Sequence, residues 1–297
     1  DTIVGTLADL FHNAGTRQLV QMVSFPVWLP IAQRIRERFD FPIVYDCHDV
    51  LSGFRNIAPE IVAAEAQLFD SSDLVLFSAS QLMADNVRQH PSLASKSVLV
   101  RNAVDDSWVE HSRRAVERAR NKDGLTAGYI GALDFWFDVD SMAHAAATHP
   151  EWKFILIGRV ENKRILTLRR FPNVQFLGEI PHGDLHAYVS QFTAALIPFV
   201  RNELTIGTNP IKLYEYFSYG LPVVGARLPE LQEFGNLVYL YEGREDFVEQ
   251  LANAFNEHTD ALREQRVATA HRESWSARVA QVQTAIEGLR VRERGTT

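Results

Sequence analysis

Short runs of β-branched and aliphatic residues alternate along the chain with longer stretches whose apolar positions recur at helical spacing. That alternation predicts βα units feeding a mainly parallel sheet. In the first third the strand candidates are residues 19–25, 43–45, 74–77 and 98–100, with helices expected over 30–39, 59–69 and 80–90. A second series has strands at 126–130, 154–157, 174–176, 194–197, 223–224 and 238–240. Three stretches with helical apolar spacing, 246–257, 260–271 and 276–289, close the chain. Between the two series lies a charged stretch poor in apolar residues, 110–123, which reads as an interdomain connector. The expected division is a first domain over 1–109, a linker at 110–123, a second domain over 124–272 and a terminal helix at 273–297. Four strands against six, with patterned sequence starting at once from Asp1, lead to the expectation that the first domain lacks its opening strands.

Composition narrows the class. With 46% hydrophobic and 23% charged residues and no low-complexity tract, the chain is that of an ordinary folded protein. No run approaches the roughly 18 apolar residues of a membrane span, and no signal segment opens the sequence, so a cytoplasmic location is expected. The one cysteine, Cys47, excludes an internal disulfide and a cysteine-based zinc site. Thirty basic against 37 acidic residues give a net charge of −7, which argues against nucleic acid as a partner. Two local basic clusters stand out: Arg34, Arg36 and Arg38 on one helix, and Arg113, Arg114, Arg118, Arg120 and Lys122 further on. Solvated faces account for both; docking on an anionic membrane surface, a peripheral contact, is the alternative.

In doubly wound sheets, ligands bind beyond the carboxyl ends of the strands, where backbone N–H groups at helix N-termini face an anion. The segment with the most chemistry, 208–222, follows the expected strand 194–197 and reads as one short helix with both ends marked. Asn209 suits the N-cap, Pro210 the first helical position, Gly220 the residue past the end and Pro222 the stop. Lys212 in the first turn adds a positive charge at an end already attractive to phosphate. Glu215, about one turn deeper, offers two oxygens to a pair of neighbouring hydroxyls such as a ribose diol. A surface helix on which Lys212 and Glu215 pair with each other explains the same residues, and the pattern alone leaves both readings open.

This stretch resembles the donor-binding helix of the glycosyltransferase group 1 family, whose pattern P-x-K-x-x-E-Y-x-x-x-G-x-P-V-V is met by Pro210, Lys212, Glu215, Tyr216, Gly220, Pro222, Val223 and Val224. Other matches fall in the family's order from about residue 20 to 290: Tyr45 to Asp49, Asn102 to Asp105, Tyr129 to Leu133, Phe154 to Gly158, Asn173 to Gly178 with Ile180 and Pro181, and Ser274 with Trp275. The resemblance implies an α/β GT-B fold: two Rossmann-like doubly wound domains facing a cleft, here with the N-terminal one incomplete. It also implies a last helix that returns to the first domain, and no metal. By that match Lys212 would neutralise a diphosphate and Glu215 would hold the ribose, while Gly131 and Ala132 bring backbone close to the phosphates. Arg159 would add a second phosphate charge. Donor contacts are thus expected from Gly131, Ala132, Arg159, Ile180, Thr208, Asn209, Lys212, Tyr214 and Glu215, with the base on the loop at 179–181. No cofactor is expected, since the nucleotide-diphosphate sugar is a substrate.

Two departures from the family pattern matter. The acidic residue that many relatives carry eight positions before the ribose-binding one is Gly207 here, which leaves the sugar and the stereochemical outcome open. The family's N-terminal glycine-rich acceptor loop has no counterpart in this sequence.

Weaker constellations remain. Asp46, His48 and Asp49 follow a predicted strand, where Asp49 would be the base toward an acceptor hydroxyl if the reaction inverts, whereas in a retaining reaction the donor phosphate would serve and His48 would help position the sugar; a turn bonded to its own backbone is the alternative. His182 and His186 have the spacing of a metal pair but no third ligand nearby. Phe135, Trp136 and Phe137 follow the Gly131 loop, and at least one of them should be buried. No Walker, Gly-x-Gly-x-x-Gly or Ser-His-Asp pattern is present, which lowers ATPase, dinucleotide-oxidoreductase and hydrolase readings. The expected function is sugar transfer from a nucleotide-diphosphate sugar to a saccharide or glycolipid acceptor. A nucleotide-sugar epimerase and a non-catalytic nucleotide-sugar-binding module are the alternatives.

Overall fold

The computed structural model describes residues 2–15, 19–116 and 124–294. The chain divides into two units, the first comprising residues 1–101 and 279–297 and the second residues 102–278.

The first unit is built on four parallel strands in the order β1 (Gln21–Val23), β2 (Ile43–Cys47), β3 (Leu74–Phe77) and β4 (Ser97–Leu99). All four residues of β3 are buried, as a parallel strand covered on both faces requires. One face packs Val23, Tyr45, Val75 and Phe77 against Leu29, Ala32, Leu68, Phe69 and Leu82 from the intervening helices. The other packs Val44, Leu74 and Leu76 against Val282, Ala285, Ile286 and Leu289 of the final helix, Trp275–Arg294. Strand β1 is shorter than the apolar run suggests because Pro26 opens a 3-10 turn, Pro26–Trp28, directly after it. A helix not assigned from the sequence, Thr2–Asn13, adds Val4, Leu7 and Phe11 to a small cluster with Ile35, Phe39 and Phe41.

The second unit has six parallel strands: β5 (Thr126–Ile130), β6 (Lys153–Ile157), β7 (Val174–Gly178), β8 (Ala194–Ile197), β9 (Val223–Ala226) and β10 (Val238–Tyr241). Their order is β10-β9-β8-β5-β6-β7. The chain winds outward from β5 through β6 and β7, then restarts at β8 on the other side of β5. The reversal between β5 and β8 is a topological switch point, and the carboxyl ends of those two strands are where this architecture leaves room for a ligand.

The stretch 110–123 is not a simple connector. Its beginning is part of the helix Asp106–Val116, because Trp108 and Val109 are buried in the core of the second unit; residues 117–123 lie outside the described residues. The first basic cluster is also not a uniform solvated face. The Arg36 guanidinium is engaged by Asp73 and the Ser71 carbonyl, whereas Arg34 and Arg38 are exposed. The side chains of the second cluster lie outside the described residues. No helix among the described residues is long and apolar enough to cross a membrane.

Gly128 in the middle of β5 shows how tightly the second core closes. A Cβ there would stand 2.1 Å from the ring of Phe192, which is fully buried. We expect Gly128→Ala to lower stability by about 1–3 kcal/mol through overpacking, read as a fall in the thermal midpoint, with Phe192→Leu on the same background recovering part of the loss.

Candidate active site at the carboxyl ends of β5 and β8

The helix Ile211–Ser218 occupies the position downstream of β8, and hydrogen bonds and burial fix both its ends. At its C-terminus Gly220 adopts φ +65°, its N–H bonds to the Phe217 carbonyl, and the Leu221 N–H bonds to the Tyr216 carbonyl. This pair of bonds is the Schellman arrangement, and the left-handed residue in it favours glycine. The N-terminus differs from the sequence expectation. Pro210, in extended conformation, is the cap residue, and no side chain caps the helix.

Asn209 is drawn away from the cap by stronger buried partners. Its amide donates to Glu230 at 2.7 Å and to the Tyr214 hydroxyl at 3.1 Å, with all three residues inaccessible or nearly so. Burial pushes the Tyr214 hydroxyl up to about 12. The side chains of Asn209 and Tyr214 therefore hold the start of the helix from inside, a correction to their expected role as donor contacts. Thr208, half-buried, is likewise turned to its own backbone, donating to the Leu204 carbonyl at 2.7 Å.

Lys212 and Gly131 come together. Gly131 follows β5 with φ +142°, and a Cβ on it would lie 3.1 Å from Lys212 Cε and 3.3 Å from Nζ. The ammonium sits over the rings of Tyr129 and Phe199, 5.5 and 5.1 Å from their centroids. Burial among these groups pushes Lys212 down to about 8, against the pull of the Glu215 charge in the other direction. Backbone bonds stitch the loop to β6: Gly131 N–H to the Ile157 carbonyl, and Leu133 N–H to the Arg159 carbonyl, each 2.9 Å. Gly158, φ +140°, runs beneath it so closely that a Cβ there would stand 2.0 Å from the Gly131 oxygen. Ala132 is exposed, and its carbonyl accepts from the Tyr129 hydroxyl at 2.8 Å.

Glu215 does not pair with Lys212 in the way a plain surface helix would predict. Its Oε1 meets His182 Nε2 at 3.0 Å, and the carboxylate side chain is only 13% exposed. His182 and His186 do not converge as a metal pair: His186 Nδ1 faces the Tyr219 hydroxyl at 2.5 Å, and the two rings pack on Trp108. Burial and the neighbouring histidines His111 and His182 hold His186 below its ordinary range. Among the described residues no group of three or more His, Cys, Asp or Glu side chains is arranged to hold a metal ion.

Two further expected contacts follow β6 and β7. Arg159 follows β6 but is mostly exposed and engaged by Glu161. Ile180 is half-buried on the loop after β7, beside an open pocket of about 740 Å³ that Pro181, Asp184, His186 and Tyr188 also line. Of the three consecutive aromatics, Phe137 is the buried one and meets Tyr129 edge-on.

In the first unit, Asp46 lies within β2, and His48 and Asp49 follow its end, with a bend at Asp49. Ser24 donates to Asp46, Ser78 donates to the His48 carbonyl at 2.7 Å, and the His48 ring is exposed. Burial raises the Asp49 carboxyl above its usual range, with His48 pulling the other way.

The sequence reading missed Tyr129 and Phe199 as the walls around Lys212, and Trp108, whose Nε1 donates to the Glu215 carbonyl at 3.3 Å. Tyr129 falls in the matched stretch Tyr129 to Leu133, but nothing in the sequence sets it or the other two beside Lys212 and Glu215.

Residues 125–259 match the family model described as Glycosyl transferases group 1. The chain is 24% identical over 260 residues to the Bacillus subtilis (strain 168) protein named "Putative teichuronic acid biosynthesis glycosyltransferase TuaH", a match that covers 81% of this chain and 65% of that protein. The chain thus spans just under two thirds of the length of this relative. The fold is similar to that of sucrose-phosphate synthase from Thermosynechococcus elongatus, with a TM-score of 0.73 at 15% identity, covering 97% of this chain and 77% of that one. It is also similar to Anabaena HepE in complex with UDP-glucose, with a TM-score of 0.67 at 16% identity, covering 97% and 82%. Residues 125–259, just under half of the chain, thus match the Glycosyl transferases group 1 family, and the two parallel-sheet units have the GT-B architecture.

Proposed function

We propose that this protein transfers a glycosyl group from a nucleotide-diphosphate sugar to an acceptor hydroxyl, in the synthesis of a polysaccharide or glycolipid. The observation that carries the reading is the contact of the Gly131 turn with the Lys212 side chain at the carboxyl end of β5, with the Glu215 carboxylate three residues further along the same helix. The name of the Bacillus relative, which refers to teichuronic acid biosynthesis, supports the polymer class, and the UDP-glucose bound to Anabaena HepE supports a uridine donor.

In this reading the diphosphate lies over Gly131, where the missing Cβ lets oxygen atoms approach the main chain. Lys212 and the first N–H groups of the helix Ile211–Ser218 take up its charge, so that departure of the nucleoside diphosphate needs no metal ion. Glu215 receives the ribose hydroxyls, and the loop carrying Ile180 receives the base. Asp49 is the base toward the acceptor hydroxyl, with a carboxyl whose raised affinity for protons suits it to that role. No cofactor enters the reaction, and the transferred group is a hexosyl or a related sugar.

Calorimetric titration with UDP-, GDP- and ADP-sugars tests the donor site. Glu215→Ala and Lys212→Ala should each weaken binding by roughly 10–100-fold, the range for a hydrogen bond or ion contact to a charged group. Unchanged affinity in both variants would sink the assignment.

The Lys212 value adds a pH dependence. A bound diphosphate favours the charged ammonium, so the complex holds its proton to higher pH than the free protein, in which Lys212 titrates at about 8. Affinity for the intact nucleotide-sugar should be level below that pH and fall by up to about tenfold per unit above it. In Lys212→Met the slope should vanish.

Acceptor-dependent release of nucleoside diphosphate tests the chemistry. Asp49→Asn should lower turnover by about 10²–10⁴-fold, the usual contribution of a general base, with donor affinity retained. A variant that turns over like the wild type would remove Asp49 from the reaction.

A further inference from the structure

The reading of Glu215 as a ribose ligand leaves one side chain on that carboxylate without a role. His182 opens the 3-10 turn His182–Asp184, directly after Ile180 and Pro181, and its Nε2 lies 3.0 Å from Glu215 Oε1. The two partners differ in accessibility: the His182 side chain is 61% exposed and that of Glu215 only 13%. The imidazole thus stands between the carboxylate and solvent.

Glu215 is held a second time through its main chain. Trp108, buried to 1% exposure, donates its indole N–H to the Glu215 carbonyl. The Trp108 and His182 rings pack on each other with centroids 4.6 Å apart and planes inclined by 38°. One ring fixes the backbone of residue 215 and the other its carboxylate, and each supports the other. The terminal torsion of a glutamate is broad and roughly two-fold, so a carboxylate at the mouth of a site has no orientation of its own. A donor fixed on one oxygen sets that torsion while leaving the second oxygen, and a lone pair on the first, open to two hydroxyls.

We infer that His182 is a positioning residue: it orients the Glu215 carboxylate toward a vicinal diol and thereby sets the preference of the site for ribonucleotides over nucleotides lacking the ribose hydroxyls. The inference rests on the ribose role proposed for Glu215. It requires His182 to act through Glu215 and not through the fold, which separates it from the ring stacking that any aromatic residue could supply.

The test is titration of the full chain with UDP, GDP and ADP, each beside its 2′,3′-dideoxy counterpart, for wild type, His182→Phe, His182→Asn and Glu215→Ala. The phenylalanine keeps a ring against Trp108 and removes the donor; the asparagine removes the ring and keeps an N–H donor. For the ribonucleotide that binds tightest, His182→Phe should lose about tenfold in affinity, in line with one hydrogen bond to a charged acceptor, while its dideoxy form binds as it does to wild type. His182→Asn should recover part of the preference. Equal losses for the ribo and dideoxy forms would make His182 merely structural and overturn the inference. So would a His182→Phe protein that keeps the wild-type preference while Glu215→Ala loses it, which leaves the ribose role of Glu215 standing. A Glu215→Ala protein that still prefers the ribo form, or failure of all three nucleotides to bind wild type, overturns the ribose reading and this inference together.

Discussion

The closest constraint in the second unit is the contact between the turns that leave β5 and β6. Gly158 passes under Gly131 with no room for a Cβ, and both residues adopt φ values that side chains resist. If either turn lifted, the bonds from Gly131 to Ile157 and from Leu133 to Arg159 would break, and the end of β5 would lose its shape. The position of Lys212 depends on that shape. Its aliphatic stem lies against Gly131, and its ammonium is confined by Tyr129, whose hydroxyl is in turn tied to Ala132 in the same turn. Backbone packing at two glycines therefore decides where a half-buried cation sits, one turn of helix from the carboxylate of Glu215.

Much of this organisation was legible in the sequence. Parallel strands buried on both faces leave near-continuous apolar runs, so β3, β5 and β8 are found at the residues the pattern predicts. Gly220 was legible for a local reason: a Schellman terminus needs a left-handed residue, and the neighbours that enforce it lie within five positions. The failures are non-local. Asn209 has the chemistry of a cap, but Glu230, 21 residues downstream, offers it a buried carboxyl oxygen as acceptor, and the helix begins without a side-chain cap. The stretch 110–123 read as connector because its charges outnumber its apolar residues, yet it begins inside the helix Asp106–Val116. Trp108 anchors that helix against residues 182, 186 and 215, none of which is near in sequence.

The site residues divide along the same line. Gly131, Lys212 and Glu215 were named from a local motif, and the structure brings the first two into contact and leaves the third on the same short helix. Tyr129, Phe199, Trp108 and His182, which surround those groups, come from four separate segments, and no pattern in the sequence joins them to Lys212 or Glu215. A motif records the residues whose spacing along one helix matters, whereas the environment that tunes them is assembled by topology.

That environment gives the two charges of the helix Ile211–Ser218 different characters. Lys212 is enclosed by rings that attract a cation through their faces but replace little of the hydration it has lost, so its affinity for a proton falls to about 8. Glu215 is enclosed by donors, an indole on its main chain and an imidazole on its side chain. A cation among rings is under-solvated and gains most from an incoming anion. A carboxylate already oriented by donors gains little from one more charge and more from hydroxyls that fit its remaining lone pairs. In the proposed reading the two groups, three residues apart, take the two halves of one ligand, anionic at one end and hydroxylated at the other, the form of a nucleoside diphosphate.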